Sequence, residues 1–100
     1  MEKNKLSCLI EGYAGTYFEV GQIWETIDEN IKARIIRTSD SENYPIRCEY
    51  QDSFEDKIFE STVDIHGKHN KSSKHRLDLT KLISTEKIEK YLRKLEAYIQ

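Results

Sequence analysis

The chain has 100 residues, of which 37% are hydrophobic and 34% charged, and its formal net charge is −2. This length suits a single domain with one modest core. No apolar run approaches the roughly 20 residues of a membrane-spanning helix, and the first residues lack the apolar stretch of a secretory signal, so we predict a cytoplasmic protein without membrane contact. The near-neutral charge argues against general binding to duplex DNA.

The first two-thirds of the chain alternate apolar and polar residues with the period of β-strands. The first run, Leu6 to Ile10, ends at two glycines, and the runs at 22–27 and 31–37 flank Asp28-Glu29-Asn30. That tripeptide has the length and chemistry of a tight hairpin turn. Further runs begin after Pro45 and cover 57–65, so we predict about five antiparallel strands between residues 6 and 65.

The last third of the chain changes character. Residues 66–76 form a polar, basic stretch that we interpret as a loop. From 84 to 99 the apolar residues recur with the period of a one-sided helix: Ile88, Tyr91, Leu92, Leu95, Tyr98 and Ile99. We predict a C-terminal amphipathic helix that packs on the strands through Ile88, Leu92 and Leu95, which gives a single α+β domain over residues 1–100.

The cysteines and histidines suggest no cofactor. Cys8 and Cys48 both lie within strand-like alternation, which favours buried free thiols, with a disulfide or redox pair as the alternative. His66, His69 and His75 crowd into the basic loop, but zinc sites generally use four ligands and neither cysteine is near in sequence. We therefore predict a solvated loop and no metal.

Three segments carry a resemblance to a known group of proteins: G-Q-I-W from Gly21, N-Y-P-I-R-C-E-Y from Asn43, and F-E-S-T-V-D-I-H-G-K from Phe59. Together they resemble short phage and prophage accessory proteins, in which a strand carrying Y-P-I leads to a D-G-K-like hairpin. The resemblance covers residues 18–68, and the sequence departs from a direct D-G turn at Asp64. It implies a small SH3-like antiparallel β-barrel and a mobile-element context, with no enzymatic signature.

The leading functional hypothesis is a non-enzymatic protein that inhibits or modulates a host protein, conceivably in defence or nucleic-acid metabolism. Acidic residues are dense between 49 and 60, and tyrosines lie in or beside the predicted loops. Exposed aromatics on such a scaffold are a common recognition surface. The predicted partner-binding residues are Tyr13, Tyr17, Tyr44, Glu49, Asp52, Glu55 and Asp56.

Two alternatives remain open at the level of sequence. The basic loop could bind a phosphate ligand, either a nucleic-acid strand or a signalling nucleotide, through Lys68, Lys71, Lys74 and Arg76. Alternatively, Tyr91 and Tyr98 on the predicted helix could drive homo-oligomeric assembly. Catalysis has no support, because no nucleophile elbow, phosphate-cradling glycine loop or burial of paired carboxylates is evident.

Overall fold

The computed structural model describes residues 6–39 and 43–83. These residues form seven β-strands, which are β1 Leu6–Ser7, β2 Tyr17–Phe18, β3 Ile23–Thr26, β4 Ile31–Thr38, β5 Ile46–Asp52, β6 Lys57–Val63 and β7 Leu79–Leu82. Within the described ranges no helix is long and apolar enough to cross a membrane.

The strands form two antiparallel sheets. Strands β1 and β2 pair with each other, and the other five follow the order β6-β5-β4-β3-β7. The predicted hairpin at Asp28-Glu29-Asn30 is confirmed, because it joins β3 to β4 with Trp24 opposite Ala33. Thr26 stabilises this turn, since its hydroxyl lies 2.8 Å from the Asp28 carbonyl and 3.0 Å from that of Ile31.

One face of the larger sheet covers the core. In β4 the buried residues Ile31, Ala33 and Ile35 alternate with Lys32 and Arg34, as the period of two requires for a sheet with one wet face. Strand β5 repeats the pattern, with Ile46, Cys48, Tyr50 and Asp52 all buried. Trp24 is 0% exposed and lies against Phe18 and Tyr13, with ring centroids 5.8 Å and 5.2 Å away respectively.

The predicted barrel needs correction. The five-stranded sheet does not close on itself, and β6 and β7 are its two edges among the described residues. Strand β7 was not foreseen: the strand region was predicted to end at residue 65, yet β7 returns after the basic loop and pairs with β3. The basic loop is therefore an internal connection between two strands. The predicted helix over 84–99, with its proposed assembly face, lies outside the described residues.

Gly67 explains how the connection after β6 packs against the core. Its φ is +73°, and a Cβ built there would lie 2.7 Å from Cδ1 of Ile10 and 3.1 Å from Cβ of Leu79. Its carbonyl accepts a 2.8 Å hydrogen bond from the Leu79 N–H. A residue with a side chain would be strained in both respects, so glycine permits the loop to approach the core.

Candidate functional site

The hairpin tip, defined as the β5–β6 turn and its flanks at residues 52–58, is held by a buried carboxylate. Asp52 is 3% exposed, and its Oδ1 accepts hydrogen bonds from the N–H of Phe54 at 2.9 Å and of Glu55 at 3.1 Å. Asp56 follows with a positive φ of 53°, a conformation that aspartate tolerates better than most residues. The side chain thus satisfies backbone donors that a tight turn would leave unpaired.

A second set of contacts anchors the hairpin tip to the rest of the sheet. Ser53 donates from its N–H at 2.9 Å and from its hydroxyl at 3.0 Å to the carbonyl of Asn30, in the β3–β4 turn. The two turns are therefore joined directly, which restricts the conformations open to the hairpin tip.

The hairpin tip presents apolar side chains to solvent. Phe54 is 81% exposed and Ile58 is 64% exposed, and among the described residues Phe54 is the most exposed of the large hydrophobic side chains. Neither residue was among the predicted contacts. The available signal was an aromatic residue inside the polar run Asp52 to Asp56, two positions beyond the last buried residue of β5.

The structure distributes the predicted acidic surface unevenly. Asp52 is buried and serves the turn, while Glu49 forms a 2.9 Å ion pair with Arg34 on the neighbouring strand. Glu55 and Asp56 lie exposed on the hairpin tip, and Glu55 is 2.6 Å from Lys57 Nζ. Only the exposed pair accompanies Phe54, so the acidic character of this surface is concentrated at the turn.

The three predicted tyrosines have different environments. Tyr13 is half-buried with its ring edge-on to Trp24, and Tyr17 is 44% exposed on β2. Tyr44 contacts the basic loop instead: Lys71 Nζ lies 5.0 Å from its ring centroid, and the Lys71 N–H donates to its hydroxyl at 3.4 Å. Their described contacts are separate, which does not favour one shared tyrosine groove.

The second candidate region is the 64–78 loop, meaning the connection from Asp64 to Asp78. Asp64 lies at its start with its side chain 3% exposed. Its Oδ1 accepts hydrogen bonds from the N–H groups of His66 and Lys68, each at 2.9 Å, and Oδ2 lies 3.1 Å from Lys71 Nζ. Burial alone would raise the pKa of Asp64, but these hydrogen bonds and the Lys71 charge hold that pKa below its usual value.

Asp78 likewise accepts hydrogen bonds from backbone N–H groups at the other end of the loop. Its Oδ1 accepts from the His69 N–H at 2.8 Å and its Oδ2 from the His75 N–H at 3.1 Å. Lys68 Nζ lies 3.6 Å from Oδ2. Two buried carboxylates, one at each end, therefore organise a segment that looks merely polar in sequence.

Most of the loop cations form ion pairs with aspartates of the described chain. Lys71 pairs with Asp64 and Lys68 with Asp78, while Arg76 Nη1 lies 3.8 Å from both Asp28 and Asp52. Lys74 is exposed and makes no hydrogen bond or ion pair with any other described residue. Of the four predicted phosphate contacts, Lys74 alone carries a charge that is not already matched by an acid in the described part of the chain.

An open groove of about 410 Å³ runs beside the 64–78 loop. Ile10, Ile27 and Leu79 supply its apolar side. Lys68, Lys74, His66, Glu11, Asp78 and Thr80 supply its polar side. The groove thus combines an apolar wall with cations, but acids line it too.

The rings of His69 and His75 are in contact inside the loop, with centroids 4.2 Å apart and planes tilted by 39°. His69 Nδ1 lies 3.2 Å from the Ser61 hydroxyl of β6, and His75 Nδ1 accepts from the Leu77 N–H at 3.1 Å. When Nδ1 accepts, the neutral ring carries its proton on Nε2, which then cannot ligate a metal. Among the described residues no cluster of three or more metal-ligating side chains occurs.

The cysteines are structural. Cys8 and Cys48 are free and fully buried, which confirms the predicted buried thiols. Burial raises the pKa of Cys48 to about 12, although its hydrogen bond with Tyr50 acts in the opposite direction. The Cys48 thiolate, the form that nucleophilic or redox chemistry needs, is therefore scarce at neutral pH.

Comparison of the chain with protein-family models, curated proteins and solved structures finds no match.

Proposed function

We propose that this is a non-enzymatic binding protein that modulates a host protein through the hairpin tip. The observation that carries the proposal is Phe54, which is 81% exposed on a turn whose backbone is fixed by Asp52 and Ser53. Aromatic anchors of this kind commonly dominate the energetics of protein interfaces. The phage or prophage origin and the cytoplasmic location of the host partner belong to this proposal, on the basis of the Y-P-I resemblance.

Rigidity supports this role for Phe54. Association costs free energy when loops and side chains must be ordered at the interface, and a turn fixed before binding avoids part of that cost. Two hydrogen bonds to Asp52 and two to the Asn30 carbonyl hold the hairpin tip in place. A partner that covers the Phe54 ring would remove apolar surface from water, which favours association.

The charges beside Phe54 indicate the chemistry of the partner. Glu55 and Asp56 directly follow Phe54 in sequence, and Ile58 is a second exposed apolar side chain, on β6. The complementary surface is an apolar pocket with basic groups at its rim. Because exposed charges mainly steer association, we expect the acids to affect the association rate and its salt dependence more than the final affinity.

Photo-crosslinking tests the proposal directly. A photoreactive phenylalanine analogue at position 54 should capture one host protein in cells of the natural host, identified by mass spectrometry. The same analogue at position 20 is the matched control, since Val20 is 64% exposed on a different connection. Recombinant partner should then bind the unmodified protein in solution, and Phe54→Ser should weaken that binding by about 30-fold or more. Equal capture from both positions, or full binding by Phe54→Ser, would count against the hairpin tip.

A second candidate function is supported by the groove beside the 64–78 loop. Lys68, Lys74 and His66 line the groove together with apolar side chains, an arrangement suited to a ligand that joins a phosphate to a flat apolar group. Lys71 and Arg76 do not line the groove, and Lys68 lies 3.6 Å from Asp78, so Lys74 is the principal proposed contact, with Lys68 and His66 beside it.

Binding of a fluorescent single-stranded oligonucleotide and of a labelled nucleotide would test this candidate. Lys74→Gln should weaken binding and reduce its salt dependence, whereas Lys81→Gln, at an exposed site on β7, should change neither. Binding that is absent, or equal in the two variants, would eliminate the phosphate ligand.

Homo-oligomeric assembly stays a prediction, which sedimentation at two protein concentrations can test.

A further inference from the structure

We propose that the His69–His75 pair is a pH-sensitive latch, which keeps the 64–78 loop closed when both rings are neutral and releases it on acidification. The proposal is independent of the function assigned to the hairpin tip. It stands on three contacts: that between the two tilted rings, the Leu77 N–H bond to His75 Nδ1, and the contact between Ser61 and His69.

The hydrogen bond from Leu77 makes the latch sensitive to protonation. His75 Nδ1 can accept this bond only while it carries no proton. Protonation converts the acceptor into a donor that faces another donor at 3.1 Å, so the bond is lost. Leu77 is 5% exposed, and its carbonyl accepts a 3.4 Å bond from the buried Tyr50 hydroxyl, so its release disturbs contacts within the core.

The contact between the two rings makes the latch sensitive to protonation in a second way. With centroids 4.2 Å apart, two imidazolium rings would repel each other, so the pair resists binding two protons. The charged groups that act on His75 are Asp78 and Arg76; Lys68 lies 3.6 Å from Asp78, and Tyr50 faces the same loop from β5. Asp78 favours protonation of His75, whereas Arg76 opposes it.

The groups around His75 determine whether acidification stabilises or destabilises the closed loop. Partial burial and the His69 ring lower the pKa of His75; Asp78 raises it and Arg76 lowers it, and the outcome is a pKa below the usual value. The unfolded chain therefore binds a proton more readily than the closed loop does. The contribution of His75 to loop stability is complete above the unfolded pKa of about 6.5 and declines as the pH falls below it.

Nuclear magnetic resonance offers the test. Between about pH 7.5 and pH 5, protection of the Leu77 amide against hydrogen exchange, corrected for intrinsic rates, should fall by about tenfold or more, in step with titration of the His75 ring. His75→Asn supplies a side-chain oxygen that accepts a hydrogen bond at any pH, so the Leu77 amide should stay protected throughout. His66→Gln is the control, since His66 has no part in the ring pair and should leave the transition unchanged.

The variant His69→Gln tests how much the contact between the two rings contributes to the latch. Removing the second imidazole should raise the pKa of His75 and move loop release to higher pH, while protection of the Leu77 amide at about pH 7.5 verifies that the variant folds. The latch would be disproved by a Leu77 amide equally protected at both pH values in the wild type, or by loss of protection with the same midpoint in His75→Asn.

Discussion

The hairpin tip and the 64–78 loop are both held by a buried aspartate, but the first exposes an apolar side chain and the second pairs a cation internally. In each, a buried aspartate accepts hydrogen bonds from backbone N–H groups a few residues further along: Asp52 serves the hairpin tip and Asp64 the loop. The hairpin tip then exposes Phe54, while the loop directs Lys71 back onto its own carboxylate. A turn held by a buried aspartate can therefore either expose a side chain to solvent, as with Phe54, or pair a side chain internally, as with Lys71.

The difference indicates which of the two regions is better suited to meet another molecule. The loop cations Lys68, Lys71 and Arg76 already have acidic partners, so binding an external anion would have to compete with those contacts. Phe54 has no such competitor, because covering an exposed aromatic ring removes apolar surface from water at roughly 25 cal/mol per Å². Protein binding at the hairpin tip is thus the stronger proposal.

The largest predicted effect is that of Asp64→Ala. The substitution removes a carboxylate that is 3% exposed and leaves two backbone N–H groups and the half-exposed Lys71 ammonium without their shared acceptor. We expect a loss of about 2–3 kcal/mol in the free energy of unfolding, measured by urea denaturation, because three hydrogen bonds to a charged acceptor are lost and solvent replaces them in part. Glu60→Gln, at the exposed pair with Arg47, is the control and should change stability by less than about 0.5 kcal/mol. A loss no greater than that of the control would mean that Asp64 does not organise the loop.

Asp52→Ala should rank second. It removes the acceptor for two N–H groups in the hairpin tip, which solvent can partly replace because Phe54 and Glu55 are exposed. We expect a loss of about 1–2 kcal/mol in the free energy of unfolding, together with faster hydrogen exchange at Phe54 and Glu55. Unchanged exchange at these two amides would show that the hairpin tip is rigid for another reason.

Acidification should reproduce part of the Asp64→Ala effect. Because the folded pKa of Asp64 lies below the unfolded value of about 3.9, its contribution is complete above that pH and is lost as the pH falls through the folded pKa. Urea denaturation of wild type and Asp64→Ala at a series of acidic pH values should give curves that converge with falling pH. A constant difference between them would contradict the assigned charge.

The smallest predicted effect on stability is that of Phe54→Ser. At 81% exposure the ring contributes little to the core, so the free energy of unfolding should change by no more than about 0.5 kcal/mol. Phe59→Ser is the contrasting variant, because Phe59 stacks on Tyr50 with centroids 5.4 Å apart and should cost more. A large loss in Phe54→Ser would indicate that the ring is part of the fold.

Local patterns in the sequence predicted the central sheet well. The turn at Asp28-Glu29-Asn30 and the alternation in β4 and β5 were sufficient, because both signals act between near neighbours. The closure of the sheet was predicted wrongly, and β7 was missed. Leu77, Leu79 and Leu82 do not alternate strictly, and their strand character depends on β3, more than 50 residues earlier in the chain.

The candidate sites were less accessible from sequence. The basic composition of the loop indicated free cations, but their pairing depends on Asp64 and Asp78, whose carboxylates become buried only when the loop folds onto Ile10 and Leu79. Likewise, Asp52 seemed an exposed contact residue because it opens a polar run. It instead falls on the buried face of β5, two positions after Tyr50.

The decisive measurement is the affinity of the crosslinked partner for three purified proteins: wild type, Phe54→Ser and Lys74→Gln. If the hairpin tip is the binding surface, calorimetry should show Phe54→Ser weakened by about 30-fold or more, the range expected of an interface hot spot, and Lys74→Gln within about twofold of wild type. Full affinity in Phe54→Ser combined with a loss in Lys74→Gln would contradict the account and transfer the function to the 64–78 loop.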